Sequence, residues 1–166
     1  MKLTERIDNL VVLLIDMQYG FLGRSENRKI IPHQIAVLEF CRRTNTPVII
    51  IEYDGVLLGK TICPLLNLAK KVPAYRYVLK SEDCAFSAPL LDTYLKEFQA
   101  TTVLLMGVRA ECCIYKTAKE AVKRGYRVCT SDTLMAGYAV RDEKEIVGWY
   151  QENTIYHSDK LLEIAV

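Results

Sequence analysis

The chain has 166 residues, enough for one domain with a sizeable core, and its 22 Lys and Arg against 20 Asp and Glu leave a net charge of +2. Basic and acidic residues are interspersed, which excludes an electrostatic footprint for nucleic acid, and apolar runs such as Leu10 to Ile15 are far too short to span a bilayer. The opening MKLTERIDNL has no apolar signal-peptide core, so the expected compartment is the cytoplasm, where the six cysteines stay free thiols.

The elements follow in a regular order. Leu10 to Ile15 is continuously apolar, as a buried parallel strand is. A helix is predicted from about Pro32 to Arg43, with Pro32 in its first turn and Cys41 as a small core residue. Pro47 to Ile51 reads as a second strand, 61–70 as a short helix, and Tyr75 to Leu79 as a third strand. Ser87 is the expected N-cap of a helix running to about Phe98. Thr101 to Met106 is a fourth strand, followed by a helix from about Ala110 to Arg124 that stops at Gly125. Tyr126 to Thr130, including Cys129, is a fifth strand. A helix over 141–152, a short strand at 154–156 and a helix at 159–164 complete the chain. This alternation predicts a single α/β domain over 1–166: a mostly parallel, Rossmann-like sheet with helices on both faces, in three layers.

Ligands of open α/β sheets bind beyond the carboxyl ends of the strands. Asp16 ends the first strand, Lys80 the third, and Cys112 and Cys113 lie just past the fourth. An acid, a cation and a nucleophile therefore converge on one edge. Singly, each has a bland reading as a cap, a solvated side chain or packing. Together they make the functional reading the better one. Helical spacing separates the two cysteines: Cys112 shares a face with Lys116, Lys119 and Lys123, whereas Cys113 shares one with Thr117 and Ala121 and points inward. With no CxxC spacing and only His33 and His157, the chain offers no zinc-type pattern and no His-rich metal site.

These residues resemble the isochorismatase-like cysteine hydrolases. Three stretches carry the resemblance: VVLLIDMQYGF, with Asp16, Gln18 and Phe21; LKSEDCAFSAPLLDTYL, with Lys80 and Phe86; and GVRAECCIYKTAKEAVKRGY, with Cys113 at the nucleophile position. Ala110 stands where Thr is usual. The resemblance implies an Asp16, Lys80 and Cys113 triad, an oxyanion hole from the backbone N–H groups of Arg109 and Cys113, and a cis peptide at Val108–Arg109. It also implies hydrolysis of a small amide, ureide or related C–N bond through a thioester-type intermediate. The alternatives are a non-catalytic binding or regulatory protein on the same scaffold and vinyl-ether hydrolysis. Metal-dependent nicotinamidases of this family carry an Asp and His cluster after the second strand. IEYDGVLLGKTICP has no histidine, so neither a metal nor another cofactor is expected.

Helix start, Lys80 and Asp16 are each expected to raise the thiolate fraction of Cys113 and make it the most reactive thiol. Phe21, Tyr53, Phe86 and Tyr138 are the expected pocket lining, with Gln18 as a polar contact. The resemblance also implies a homo-oligomer, a dimer or larger. The apolar loop Gly55 to Gly59 would then either line the pocket, meet the partner or cover the end of the sheet.

Overall fold

The computed structural model describes residues 9–137 and 143–157. Tyr138 and the helix expected at 159–164 lie outside the described residues. The strands are β1 (Leu10–Ile15), β2 (Val48–Tyr53), β3 (Tyr75–Lys80), β4 (Thr102–Val108), β5 (Arg127–Ser131), β6 (Met135–Ala136) and β7 (Ile155–His157). The helices are α1 (Ser25–Lys29), α2 (Ile31–Thr44), α3 (Cys63–Ala69), α4 (Pro89–Glu97), α5 (Tyr115–Lys123) and α6 (Glu143–Asn153). Short 3-10 turns occupy Tyr19–Phe21 and Ala85–Ser87, and a π-helical turn, Ala110–Ile114, leads into α5.

The sheet runs in the order β3-β2-β1-β4-β5-β7, with every strand pair parallel. The expected three-layer α/β architecture is therefore present. All six β1 residues are buried because helices cover both faces. Leu10, Val12 and Leu14 pack with α2 and α3 through Val37, Leu38, Cys41 and Leu65. Val11, Leu13 and Ile15 pack on the opposite face with α4, α5 and α6 through Leu91, Leu95, Ala118 and Tyr150. Each buried aliphatic chain contributes about 1.5–3 kcal/mol, against roughly 1–2 kcal/mol for ordering its backbone, so two-sided burial is what makes β1 stable. Gly125, with φ +88, ends the α5 region as expected.

Two local expectations are corrected. The residue flanking α4 at its N-terminus is Ala88, not Ser87. The Ser87 hydroxyl accepts a hydrogen bond from the Glu82 backbone N–H at 3.3 Å instead, which holds the β3–α4 loop. The short strand β6 was not expected. Gly107 and Val108, at the upper end of β4, pair with Met135 and Ala136, while the lower end pairs with β5.

Candidate active site

Strand order reverses direction between β1 and β4, the adjacent pair that opens a crevice at its carboxyl end. Asp16 follows β1 there in a left-handed conformation, φ +56. The turn after β4 carries Arg109, also left-handed at φ +64, and then Cys113. Lys80 ends β3, two strands from β1, and its long chain crosses the end of β2 to reach Asp16. Its Nζ lies 2.9 Å from Asp16 Oδ2, with both side chains fully buried. The same ammonium donates to the carbonyls of Glu82 and Asp83 at 3.2 and 3.1 Å and sits 4.6 Å from the centre of the Tyr53 ring. Such a cage is what a buried charge needs, because an unpaired one costs several kcal/mol. The Cys113 thiol is a further side-chain hydrogen-bond partner of the Asp16 carboxylate.

Burial raises the Asp16 carboxyl above its ordinary 3.8, and the neighbouring Lys80 ammonium offsets this only partly. Burial and then the Asp16 charge push the Cys113 thiol well above its ordinary range, outweighing Lys80. The expected enrichment in thiolate is thus corrected: Cys113 rests as a neutral thiol, 1% exposed. Cys63 is exposed, so it has the better access for a general alkylating agent.

The isochorismatase domain family matches this sequence over residues 10–145. The chain belongs to that family. The isochorismatase family protein YaaI of Bacillus subtilis (strain 168) is 24% identical over 163 residues, covering 87% of this chain and 90% of its own length. The nicotinamidase of Staphylococcus aureus superposes with a TM-score of 0.80 at 16% identity, over 91% of this chain and all of that one. The N-carbamoylsarcosine amidase of Thermoplasma acidophilum gives 0.79 at 18% identity, over 93% and 99%. At these identities the two structures bear on the fold.

In this isochorismatase-family chain the expected cis peptide is corrected. No cis peptide occurs among the described residues, and the turn after Gly107 is made by the left-handed Arg109. That conformation costs a non-glycine residue roughly 1–2 kcal/mol, so the chirality penalty takes the place of a peptide-bond penalty. The Arg109 carbonyl accepts from the N–H groups of Cys112 and Ile114 at 2.9 and 3.2 Å, which winds the π-helical turn that presents Cys113.

The pocket residues divide. Tyr53 lies beside Lys80. Gln18 is buried, and its amide bonds to backbone: Nε2 donates to the Tyr53 and Gly59 carbonyls at 3.1 and 2.8 Å, and Oε1 accepts from the Tyr53 N–H at 2.8 Å. It thereby positions the Tyr53 wall. Phe21 is half-buried against the α2 and α3 side of the core. Phe86 is not brought to the site. Its ring stacks on Tyr126, 6.3 Å between centroids, and lies under the Arg124 guanidinium at 4.5 Å. Arg124 is eleven residues beyond Cys113, on the order of 16 Å along a helix axis.

Three residues matter more than their sequence suggested. Asp83 faces Cys113, whose Sγ lies 3.9 Å from its Oδ1. Thr117, buried, accepts from the Ala85 N–H at 2.9 Å and donates to the Cys113 carbonyl at 2.7 Å, tying the loop after β3 to the turn that carries Cys113. Tyr150 donates to the Ala110 carbonyl at 3.0 Å and so anchors the same turn from α6. Thr117 was already visible on the Cys113 face of the helix; no local pattern marked Asp83 or Tyr150.

The buried pair has a stability signature. Lys80→Met should destabilise the fold by about 3–5 kcal/mol near neutral pH, because it leaves Asp16 as an uncompensated buried charge. The Asp16 pKa then rises further in the folded state and not in the unfolded one. The deficit relative to the unsubstituted protein should grow as pH rises through that folded pKa and shrink towards pH 4. Urea unfolding of both proteins across this range measures it; a deficit independent of pH would dismiss the account.

Proposed function

We propose that this chain is a cysteine hydrolase that cleaves a small amide, ureide or related C–N bond without a catalytic metal. The observation that carries this reading is the fully buried Lys80–Asp16 pair, 2.9 Å apart, beside a buried Cys113 at the strand-order reversal. The amidase and nicotinamidase names of the structural neighbours point the same way.

In the proposed cycle Cys113 Sγ attacks the substrate carbonyl carbon while Asp16 takes the thiol proton. The C–S bond forms as the carbonyl π bond opens to an oxyanion, which the backbone N–H groups of Arg109 and Cys113 accept. Asp16 then delivers its proton to the leaving nitrogen as the C–N bond breaks. Water attacks the thioester as Asp16 takes a water proton, the C–S bond breaks to release the acid product, and Asp16 returns that proton to the expelled Cys113 Sγ, which regenerates thiol and carboxylate. A carboxylate with a raised pKa suits this work, since a better base removes the proton more readily in the transition state. Because the thiol is neutral at rest, proton transfer accompanies attack and no free thiolate accumulates. Tyr53, whose ring lies beside the Lys80 ammonium, supplies apolar wall.

The test is a hydrolysis screen over small amides, ureides and carbamates, with mass spectrometry of the intact chain during turnover. Release of ammonia or amine together with a transient acyl adduct on Cys113 is expected. Specific binding with neither product nor adduct would favour a binding protein, a reading that Ala110 in place of the usual Thr keeps open. Dialysis against a chelator should leave the activity unchanged. Loss of activity restored by stoichiometric zinc would overturn the metal-independent reading.

The proposal extends to a homodimer or larger closed assembly. Val56 and Leu57, in the loop after β2, are fully exposed at 101% and 94%. They therefore neither line the crevice nor cover the sheet end, and such apolar tips are the kind of surface a partner covers. Light scattering should give a mass of at least two 19.0 kDa chains, and Leu57→Asp should shift it towards one chain with the fold intact. A single-chain mass for the unsubstituted protein at micromolar concentration would refute this.

A further inference from the structure

Among the described residues, Asp83, Cys112 and Cys113 place one carboxylate oxygen and two sulfurs within 4.8 Å of one another. The proposed reaction uses only one of these groups. We propose that they form a binding site for a thiophilic divalent cation such as Zn²⁺, and that its occupation silences the nucleophile.

The geometry suits such an ion. Lys116 Nζ holds Asp83 Oδ2 at 2.6 Å, which leaves Oδ1 turned to the thiols, 3.9 Å from Cys113 Sγ. In tetrahedral zinc coordination, with Zn–S about 2.3 Å and Zn–O about 2.0–2.2 Å, neighbouring ligand atoms lie roughly 3.5–3.8 Å apart. The three atoms, all within 4.8 Å, thus need to close by roughly 1.3 Å at most, which side-chain rotation of the half-buried Asp83 and Cys112 can supply. Those two residues provide the entrance, Cys113 forms the buried floor, and water fills the fourth position.

Charge and softness decide which ion binds. A bound divalent ion must displace the thiol protons itself, because burial and the neighbouring Asp83 carboxylate hold the Cys112 thiol up and Lys116 and Arg109 offset this only partly. Two thiolates and a carboxylate carry three negative charges, enough to hold a divalent ion beside them. Two S–H bonds break, two metal–sulfur bonds form, and two protons leave to solvent; nothing is oxidised or reduced. Sulfur ligands select Zn²⁺ or Cd²⁺ over Mg²⁺ and Ca²⁺. Only the silencing rests on the hydrolase reading, because binding itself follows from the three ligands.

The experiment titrates the reduced full-length chain with Cd²⁺. It follows the ultraviolet cadmium–thiolate charge-transfer band, the protons released and the alkylation of Cys113 by peptide mapping. One Cd²⁺ per chain, two protons released and protection of Cys113 are expected, with no response to Mg²⁺. Cys112→Ser should halve the band, and both Cys112→Ser and Asp83→Asn should weaken binding on the order of 10-fold or more. Cys63→Ser should change nothing. Absence of the band, or an unaltered titration in both site variants, would overturn the site. Binding as described with no hydrolysis of any substrate would leave the site standing and remove only its inhibitory consequence.

Discussion

Asp16→Asn should lower turnover on any substrate by about 10³-fold or more while the circular dichroism spectrum stays unchanged. General base catalysis alone is worth roughly 10²–10⁴-fold, and in the proposed cycle one carboxylate serves every proton transfer, four in all, so its loss stops the cycle as a unit. An amide in its place keeps the shape of the buried corner and can still accept from the Lys80 ammonium, but it cannot take the thiol proton. The pH dependence has a definite sign. Turnover needs Asp16 ionised, and burial raises its carboxyl above 3.8. The acid limb of kcat/KM should therefore fall at higher pH than for an ordinary carboxylate. No alkaline limb is expected from Cys113, whose thiol is pushed above the ordinary range. Turnover within a few-fold of the unsubstituted rate in a folded Asp16→Asn protein would show that the carboxylate does not carry the proton.

The second large effect belongs to Gly107. It pairs with Ile15 across the β1–β4 ladder at φ +146, and a Cβ there would stand 2.0 Å from the Ile15 carbonyl oxygen. Backbone on an inner strand cannot move aside as a flexible side chain would. Gly107→Ala should lose roughly 3–6 kcal/mol, combining the strained φ with overpacking in a closed core. Ile15 directly precedes Asp16, so any backbone relaxation there also misplaces the carboxylate, and residual folded protein should have reduced kcat. Chemical denaturation settles the stability part: a loss below 1 kcal/mol would mean the two strands part more easily than their packing implies.

The central strands were legible because β-branched and aliphatic runs bounded by turns have few other homes in a chain of this size. β1 is found at Leu10–Ile15, as expected, and Cys41 and Cys129 are buried as core residues. The meeting of Asp16 with Lys80 was also legible, since side chains at parallel strand ends share one edge whatever the detailed packing. β6, only two residues long, and α1, the polar run SENRK, carry too little periodicity to register. The ionisation state of Cys113 was misread because helix position and charge neighbours can be inferred from spacing, whereas burial is a tertiary quantity. The same gap explains Phe86. Its position three residues before α4 looked like site lining, but its partners Tyr126 and Arg124 lie about forty residues away in the chain.

Lys80 reaches the crevice from β3, an edge strand that among the described residues pairs only with β2. Alternate side chains there face opposite ways: Lys80 is buried while the preceding Leu79 is 47% exposed. A slip of one residue along β2 would exchange them, putting leucine into the carboxylate cage and the ammonium into water. Such a chain would keep its helices and nearly all its sheet. Misregistered molecules would count as folded in any bulk spectroscopic assay and as dead in any kinetic one, so active fraction and folded fraction are separate quantities for refolded preparations of this protein.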